Sequence, residues 1–375
     1  MIPFNVPYIP EASKRYALEA LESNHQQGDG PFTAKVSRMV SDLVGGGHVL
    51  LTPSCTHALE MASMLANIGP GDEIILPSYT FTSAATAVTK FGATPVFVDI
   101  DLKTKGIDVN QVRVAITPRT KAISWVNYAG VAPDIEGLQS LAREYDLLLI
   151  EDNAHGLGGS YKGKPLGSFG DFSTQSFHAT KNIQCGEGGA LVVNNSKFIE
   201  RAEIIREKGT DRSRFIRGEV QKYQWVDQGS SYLLADTLAS VLLGQLENFN
   251  AIQVTRQRIA QTYSKMNFAD LCNTSCEGAL QVAHMFYLQF KNANASRTYI
   301  DLMNKQGVSV VRHYQALHNS KFGSSFPPNG QSLKNSESVS DNLVRIPLWH
   351  GMNEAEVNLV TLCSNNAITK ISENE

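Results

Sequence analysis

Cysteine is scarce in this sequence and unevenly placed. The five residues, Cys55, Cys185, Cys272, Cys276 and Cys363, are odd in number and scattered, so they do not form a disulfide framework and read as reduced thiols. Cys272 and Cys276 lack a second ligand pair nearby, and no metal site is expected. Neither sign of charge is in excess: 33 Lys and Arg against 36 Asp and Glu leave a net −3. Without a basic surplus no nucleic-acid partner is expected, and any phosphate must be bound locally. No apolar run reaches the roughly 18 residues of a membrane span. The opening Met1-Ile2-Pro3-Phe4-Asn5-Val6-Pro7 lacks the charged and apolar regions of a signal peptide, so a cytoplasmic protein with no membrane partner is expected. Finally, no G-x-G-x-x-G follows the first strand-like run; Gly45-Gly46-Gly47 precedes it, which speaks against a nicotinamide dehydrogenase.

What is present is the material of a globular enzyme. Of the 375 residues 42% are hydrophobic and 18% charged, enough apolar surface to offset the entropy of ordering. Seven short apolar, β-branched runs stand out: His48–Thr52, Glu73–Leu76, Pro95–Ile100, Lys121–Val126, Leu147–Glu151, Phe172–Phe177 and Gly189–Val193. Between several of them lie stretches with 3.6-residue apolar periodicity, such as Thr56–Asn67 and Asp134–Tyr145. That alternation predicts an α/β fold with a mostly parallel seven-stranded sheet between helices, and a ligand at the carboxyl ends of its strands. Helical patterns follow over Lys197–Lys208 and from Tyr232 to Asn250, and Phe322–Ser336 reads as a loop. A domain change near Asn248 divides residues 1–248 from a smaller C-terminal α+β domain, 249–375, with strand candidates at Phe286–Phe290 and Val308–Arg312.

Three strand ends carry unusual polar residues. After the first strand, Thr52-Pro53-Ser54-Cys55-Thr56 opens a helix whose free N–H groups suit a phosphate, although Ser54 or Thr56 would equally serve as a plain N-cap. After the fifth, Glu151-Asp152-Asn153-Ala154-His155 brings a carboxylate and an imidazole to the end of a buried strand, where a turn aspartate is the ordinary alternative. After the sixth, Ser176-Phe177-His178-Ala179-Thr180-Lys181-Asn182 runs into Gly186-Glu187-Gly188-Gly189. A lysine there is placed for Schiff-base chemistry or is simply solvated. Together the three supply a phosphate seat, an acid for a ring nitrogen and an amine for an aldehyde, which is what pyridoxal 5′-phosphate (PLP) requires. Asp152 stands 29 residues before Lys181, on a neighbouring element.

These segments, with Pro77-Ser78-Tyr79-Thr80-Phe81, resemble the nucleotide-sugar aminotransferases of the DegT/DnrJ family, PLP enzymes of fold type I, and the resemblance runs from Ile2-Pro3-Phe4 to Arg345-Ile346-Pro347-Leu348. It implies that residues 1–248 bind PLP. By position, Lys181 is then the catalytic lysine that holds the aldehyde and shuttles the proton, and Asp152 the partner of the ring nitrogen. His155 lies beside the phenolic oxygen, and Phe81 stacks on the ring unless it only packs the core. Ser54, Cys55, Thr56 and Ser176 are phosphate ligands, Cys55 through its backbone N–H, since the family more often has Gly or Ala there.

The resemblance also implies a homodimer whose active sites lie at the subunit interface. The family completes its phosphate site from the neighbouring subunit with Gly-x-Asn-x-Arg; here Gly229-Ser230-Ser231-Tyr232-Leu233 puts Ser231 where the Asn would be. The runs Glu203–Ser213, Tyr223-x-Trp225 and Gly229–Leu233 resemble the subgroup that makes dTDP-4-amino-4,6-dideoxygalactose for surface polysaccharides. They imply glutamate and a dTDP-linked ketosugar as substrates. Val311-Arg312-His313-Tyr314-Gln315-Ala316-Leu317-His318 resembles a His-Tyr-x-Pro-Leu-His element near the sugar nucleotide, which makes His313, Tyr314 and His318 substrate-binding candidates; ordinary surface or core histidines are the alternative.

Overall fold

A computed structural model describes residues 1–266, 271, 279–280, 282–328 and 330–373. Cys272 and Cys276 lie outside the described residues. The seven expected strands form one sheet: β1 (His48–Thr52), β2 (Glu73–Pro77), β3 (Thr94–Val98), β4 (Thr120–Val126), β5 (Leu148–Asp152), β6 (Phe172–Ser176) and β7 (Gly189–Val193), in the order β1-β7-β6-β5-β4-β2-β3. Only β7 runs against the rest, pairing antiparallel with both β1 and β6. The carboxyl ends of the other six strands therefore share one edge.

Successive residues of these strands enter different cores, as the period of two demands. Leu50 packs on one face with Ala58, Leu59 and Ala62, while Val49 and Leu51 pack on the other with Val36, Val40 and Leu243. Ile74 and Ile75, and Ile150 and Leu149, divide in the same way. With both faces covered most of the strands read as apolar runs up to their ends, β6 excepted, whose Ser173, Thr174 and Gln175 are buried polar residues.

A second, three-stranded sheet orders β8 (Phe286–Gln289), β10 (Leu343–Ile346) and β9 (Val311–Arg312), with β10 central. Its core includes Tyr263, Leu288, Tyr299, Val344 and Val360, and also Ile2, which bridges to Val308. The N-terminal residues thus pack with the C-terminal core. Asn248 lies between the Asp236–Glu247 and Phe249–Tyr263 helices.

Some boundaries differ from the sequence pattern. Helix begins at Asp236 rather than Tyr232, because Tyr232 is drawn into the core and its hydroxyl donates to buried Glu60 at 3.0 Å. Val308 spends its pairing on Ile2, so β9 keeps only Val311 and Arg312. The Phe322–Ser336 loop holds a single 3-10 turn, Gly323–Ser325, and its end is already the start of the Lys334–Asn342 helix.

Candidate active site

The carboxyl edge of the large sheet and the loops of the second sheet enclose a cavity of about 530 Å³. Ser54, Cys55 and Thr56 enter it from the turn after β1, Phe81 from after β2, Asp152 and His155 from after β5, and Ser176 and Lys181 from after β6. His284, His313, Tyr314 and Arg345 line it from the C-terminal side. Ten of the residues expected from sequence thus meet in one place. Two do not: Ser231 is exposed in a backbone bridge to Glu207, and His318 lies outside the lining. His318 Nδ1 instead meets Ser78 Oγ at 2.6 Å and its Nε2 meets Glu337 at 3.2 Å, tying the turn after Tyr314 to the end of β2.

The Cys55–Leu65 helix points its first turn into the cavity. Ser54 is the N-cap, its Oγ accepting from His57 N at 3.2 Å, and it also lines the cavity. The N–H groups of Cys55 and Thr56 precede the point where intrahelical bonding starts and remain free for an anion. A side chain at Gly189 would come within 2.4 Å of Cys55 N, so glycine there lets β7 abut the helix start.

Along β5 alternation separates two adjacent acids. Glu151 turns away from the cavity and accepts from Gly167 N at 2.7 Å, Phe169 N at 2.9 Å and Asn127 Nδ2 at 2.8 Å. Asp152 faces the cavity. It accepts from Ala154 N at 3.0 Å, lies 3.9 Å from Cys55 Sγ, and has no ion-pair partner among the described residues. Burial pushes its pKa up, opposed by the Ala154 N–H and the Lys181 charge. A desolvated carboxylate facing a cavity with no cation bonded to it is a seat for a cationic N–H.

Lys181 has the complementary property. Desolvation lowers its pKa to about 8, with Arg345 adding to the effect and Asp152 opposing it. Near neutrality such an amine carries far more of its unprotonated, nucleophilic form than an ordinary lysine. His155 is held as a neutral ring: burial, then Lys181 and the neighbouring His284, keep its pKa well below the ordinary value. Its Nδ1 accepts from Ala129 N at 3.3 Å, so the proton sits on Nε2, 3.2 Å from Tyr314 Oη. His155 stacks on His284 with centroids 4.4 Å apart, and His284 Nδ1 meets Asn182 Oδ1 at 2.9 Å.

Behind Tyr314, which lines the cavity, lies a buried tyrosine cluster. Tyr79 donates to the carbonyl of His313, and Tyr128 Oη meets both Tyr79 Oη at 3.1 Å and His313 Nδ1 at 2.8 Å. These bonds fix the backbone before Tyr314, which adopts φ 54°, a left-handed conformation costly for a residue with a large side chain. Tyr314 thereby lies against both Phe81 and His155.

Sequence reasoning missed His284 and Arg345 as cavity residues and Tyr128 as a support. Tyr128 carried a signal, a polar residue just past β4. His284 and Arg345 carried none, because only the packing of the second sheet brings them here.

The residues fit PLP on three counts: a helix start with free N–H groups, an unpaired buried carboxylate, and a depressed-pKa lysine in the same cavity. The comparisons with known proteins agree. The profile of the DegT/DnrJ/EryC1/StrS aminotransferase family matches residues 7–363. An uncharacterised protein of Methanocaldococcus jannaschii is 33% identical over 383 residues, covering 99% of this chain and 98% of its own. Among solved structures, the aminotransferase TlmJ of Streptoalloteichus hindustanus superposes with a TM-score of 0.90 at 26% identity, over 99% of this chain and 100% of the other. The PLP form of Spr1654 of Streptococcus pneumoniae, named as a sugar aminotransferase, gives 0.89 at 26% identity over 99% of both chains.

Proposed function

The chain belongs to the DegT/DnrJ/EryC1/StrS aminotransferase family, a PLP-dependent family, and from that premise we propose that it moves the amino group of glutamate to C4 of dTDP-4-keto-6-deoxyglucose, giving dTDP-4-amino-4,6-dideoxygalactose for a surface polysaccharide. The observation that carries the aminotransferase reading is the meeting of Lys181, Asp152 and the Ser54–Thr56 helix start in one cavity. The choice of sugar is supported by the resemblance of Glu203–Ser213, Tyr223-x-Trp225 and Gly229–Leu233 to the subgroup that makes this product.

PLP, when bound, supplies an aldehyde that accepts the amino group and a ring that spreads the charge of a carbanion. The chain's residues do the rest. Ser54, Ser176 and the N–H groups of Cys55 and Thr56 bind the phosphate. Asp152 keeps a proton on the ring nitrogen, its carboxylate stabilised there by the charge it faces. Phe81 and His155 would hold the ring, Phe81 by stacking and His155 from beside its phenolic oxygen. The Lys181 amine, unprotonated more readily than an ordinary lysine, takes the proton from glutamate Cα in one half of the reaction and delivers one to sugar C4 in the other. His313 and Tyr314, on the C-terminal side of the cavity, bind the sugar nucleotide.

The homodimer is supported by the resemblance of Gly229–Leu233 to the family's cross-subunit element and by the exposure of this stretch: Ser231 is exposed, and Trp225 and Val226, a few residues before it, are 80% and 53% exposed. In the proposed dimer Ser231 reaches the partner's phosphate site with one hydroxyl hydrogen bond.

The test is the structure of the product formed from dTDP-4-keto-6-deoxyglucose and glutamate. An axial amine at C4 gives a small coupling between H3 and H4. A large coupling marks the gluco epimer, and nitrogen at C3 or turnover only of a UDP-linked ketose rejects the substrate. Absence of any transfer by PLP-loaded protein rejects the enzyme in favour of a PLP-binding regulator.

A further inference from the structure

Arg345 is the one lysine or arginine lining the cavity whose charge has no use in the reaction as derived above. It is drawn from β10 into the cavity wall and forms no ion pair among the described residues. Its Nε is buried without a hydrogen-bond partner. Behind it stands a second desolvated guanidinium, Arg256, which spends its donors on backbone: Nε on Ala283 O at 2.8 Å and an Nη on His284 O at 2.7 Å. The carboxylates in the lining are Asp152 and the exposed Glu187, which lies 3.6 Å from His178, and neither is bonded to Arg345. Two desolvated guanidinium groups, Arg256 buried and Arg345 half-buried, neither of them ion-paired among the described residues, leave the C-terminal wall positive. What Arg345 does have is the ring of Phe4, whose centroid lies 4.9 Å from its Cζ. A cation over an aromatic face is held by a weaker bond than a carboxylate would supply.

We propose that Arg345 and Phe4 form a switchable seat for the α-carboxylate of the amino donor: the guanidinium forks onto the carboxylate while the amino acid is bound and rests on the Phe4 ring while the ketosugar is bound. The inference rests on the aminotransferase reading, in which one cavity must serve two unlike substrates in turn. The geometry selects the carboxylate over the sugar's diphosphate. Arg345 lines the cavity together with Lys181, and a smaller pocket brings it and Phe4 against Thr180, the residue before that lysine, so the guanidinium stands beside the segment that carries the reacting amine. In an α-amino acid the carboxylate is one bond from the reacting carbon. In a nucleotide sugar the nearest phosphate is separated from C4 by the sugar ring. The phosphate of the cofactor has its own donors at the start of the Cys55–Leu65 helix. A fixed anion partner for Arg345 would exclude the donor, and no partner at all would strand a desolvated charge in the sugar half; the Phe4 face answers both.

The test follows the two half-reactions separately on PLP-loaded protein by the cofactor's absorbance. In Arg345→Gln, half-saturation by L-glutamate is expected to rise about 10- to 100-fold, the scale of losing charge-assisted hydrogen bonds. Half-saturation by the ketosugar on the amino form should change less than about threefold, an allowance for ordinary mutational scatter. Phe4→Leu should do the opposite, weakening the sugar half by about two- to tenfold, the scale of a cation–π contact, and sparing glutamate. 4-Aminobutyrate, which is glutamate without its α-carboxylate, should react far more weakly than glutamate with the native enzyme and almost equally with Arg345→Gln. Loss of sugar binding with glutamate intact in Arg345→Gln overturns the seat. So does native enzyme that accepts 4-aminobutyrate as readily as glutamate, a result that needs no folded variant. If the native enzyme ignores glutamate but is converted by another L-amino acid, the donor identity fails, and the same comparison with that amino acid and its decarboxylated form decides the seat.

Discussion

Glu151 and Asp152 are neighbours in β5 whose carboxylates work on opposite sides of it: Glu151 gathers the backbone N–H groups of Gly167 and Phe169, and Asp152 faces the cavity that holds Lys181. Their substitutions should therefore fail in different ways. Asp152→Asn keeps the shape, so the protein should fold and bind PLP, while the half-reaction with glutamate slows at least about 100-fold, the scale of removing one strong electrostatic contribution. Glu151→Gln turns an amide NH2 toward donors that need an acceptor and should lower stability by about 1–3 kcal/mol with the half-reaction largely retained. Denaturant melts and single-turnover absorbance measure the two effects. A swap of these phenotypes would exchange the roles.

The depressed pKa of Lys181 has a consequence in protein stripped of PLP. Only the neutral amine reacts with an acylating reagent, so the reactivity of Lys181 should climb as pH rises through about 8. Exposed lysines should climb near their ordinary value of about 10.4. Competitive labelling across this range, read by peptide mass, follows each lysine separately, and added PLP should protect Lys181. If Lys181 titrates with the surface lysines, the desolvated site described above is wrong.

Ser231 lies outside the cavity of its own chain and serves only if a partner brings it there. Mixed dimers of Lys181→Ala and Ser231→Trp subunits should then recover part of the activity that each parent lacks, because one of the two sites regains both residues. Proven subunit exchange without recovery would remove Ser231 from the active site.

The sheet was legible because its strands are buried on both faces, and apolar runs such as Ile74–Leu76 and Gly189–Val193 are unmistakable between helical patterns. Part of the large sheet's half of the site was legible for the same reason: a carboxylate at the end of an apolar run, as at Asp152 after Leu147-Leu148-Leu149-Ile150, has no packing purpose. The other half was not. Arg345 sits in a short strand and His284 in a loop, and each looks ordinary in sequence because its role depends on contacts with residues more than a hundred positions away. Tyr232 misled the helix boundary, since its burial against Glu60 is a tertiary contact that outweighs local periodicity. His318 reads in sequence as a ligand like His313, yet its bonds to Ser78 and Glu337 make it a brace for the turn that carries Tyr314.

The central claim, that this cavity is the PLP site and Lys181 its lysine, is tested most directly by reducing the resting, PLP-loaded protein with borohydride and mapping the labelled peptide. Reduction fixes the cofactor to the lysine that holds its aldehyde. The account predicts a single pyridoxyl-phosphate group on Lys181, in the segment between Ser176 and Gly186, and a label on any other lysine would contradict it.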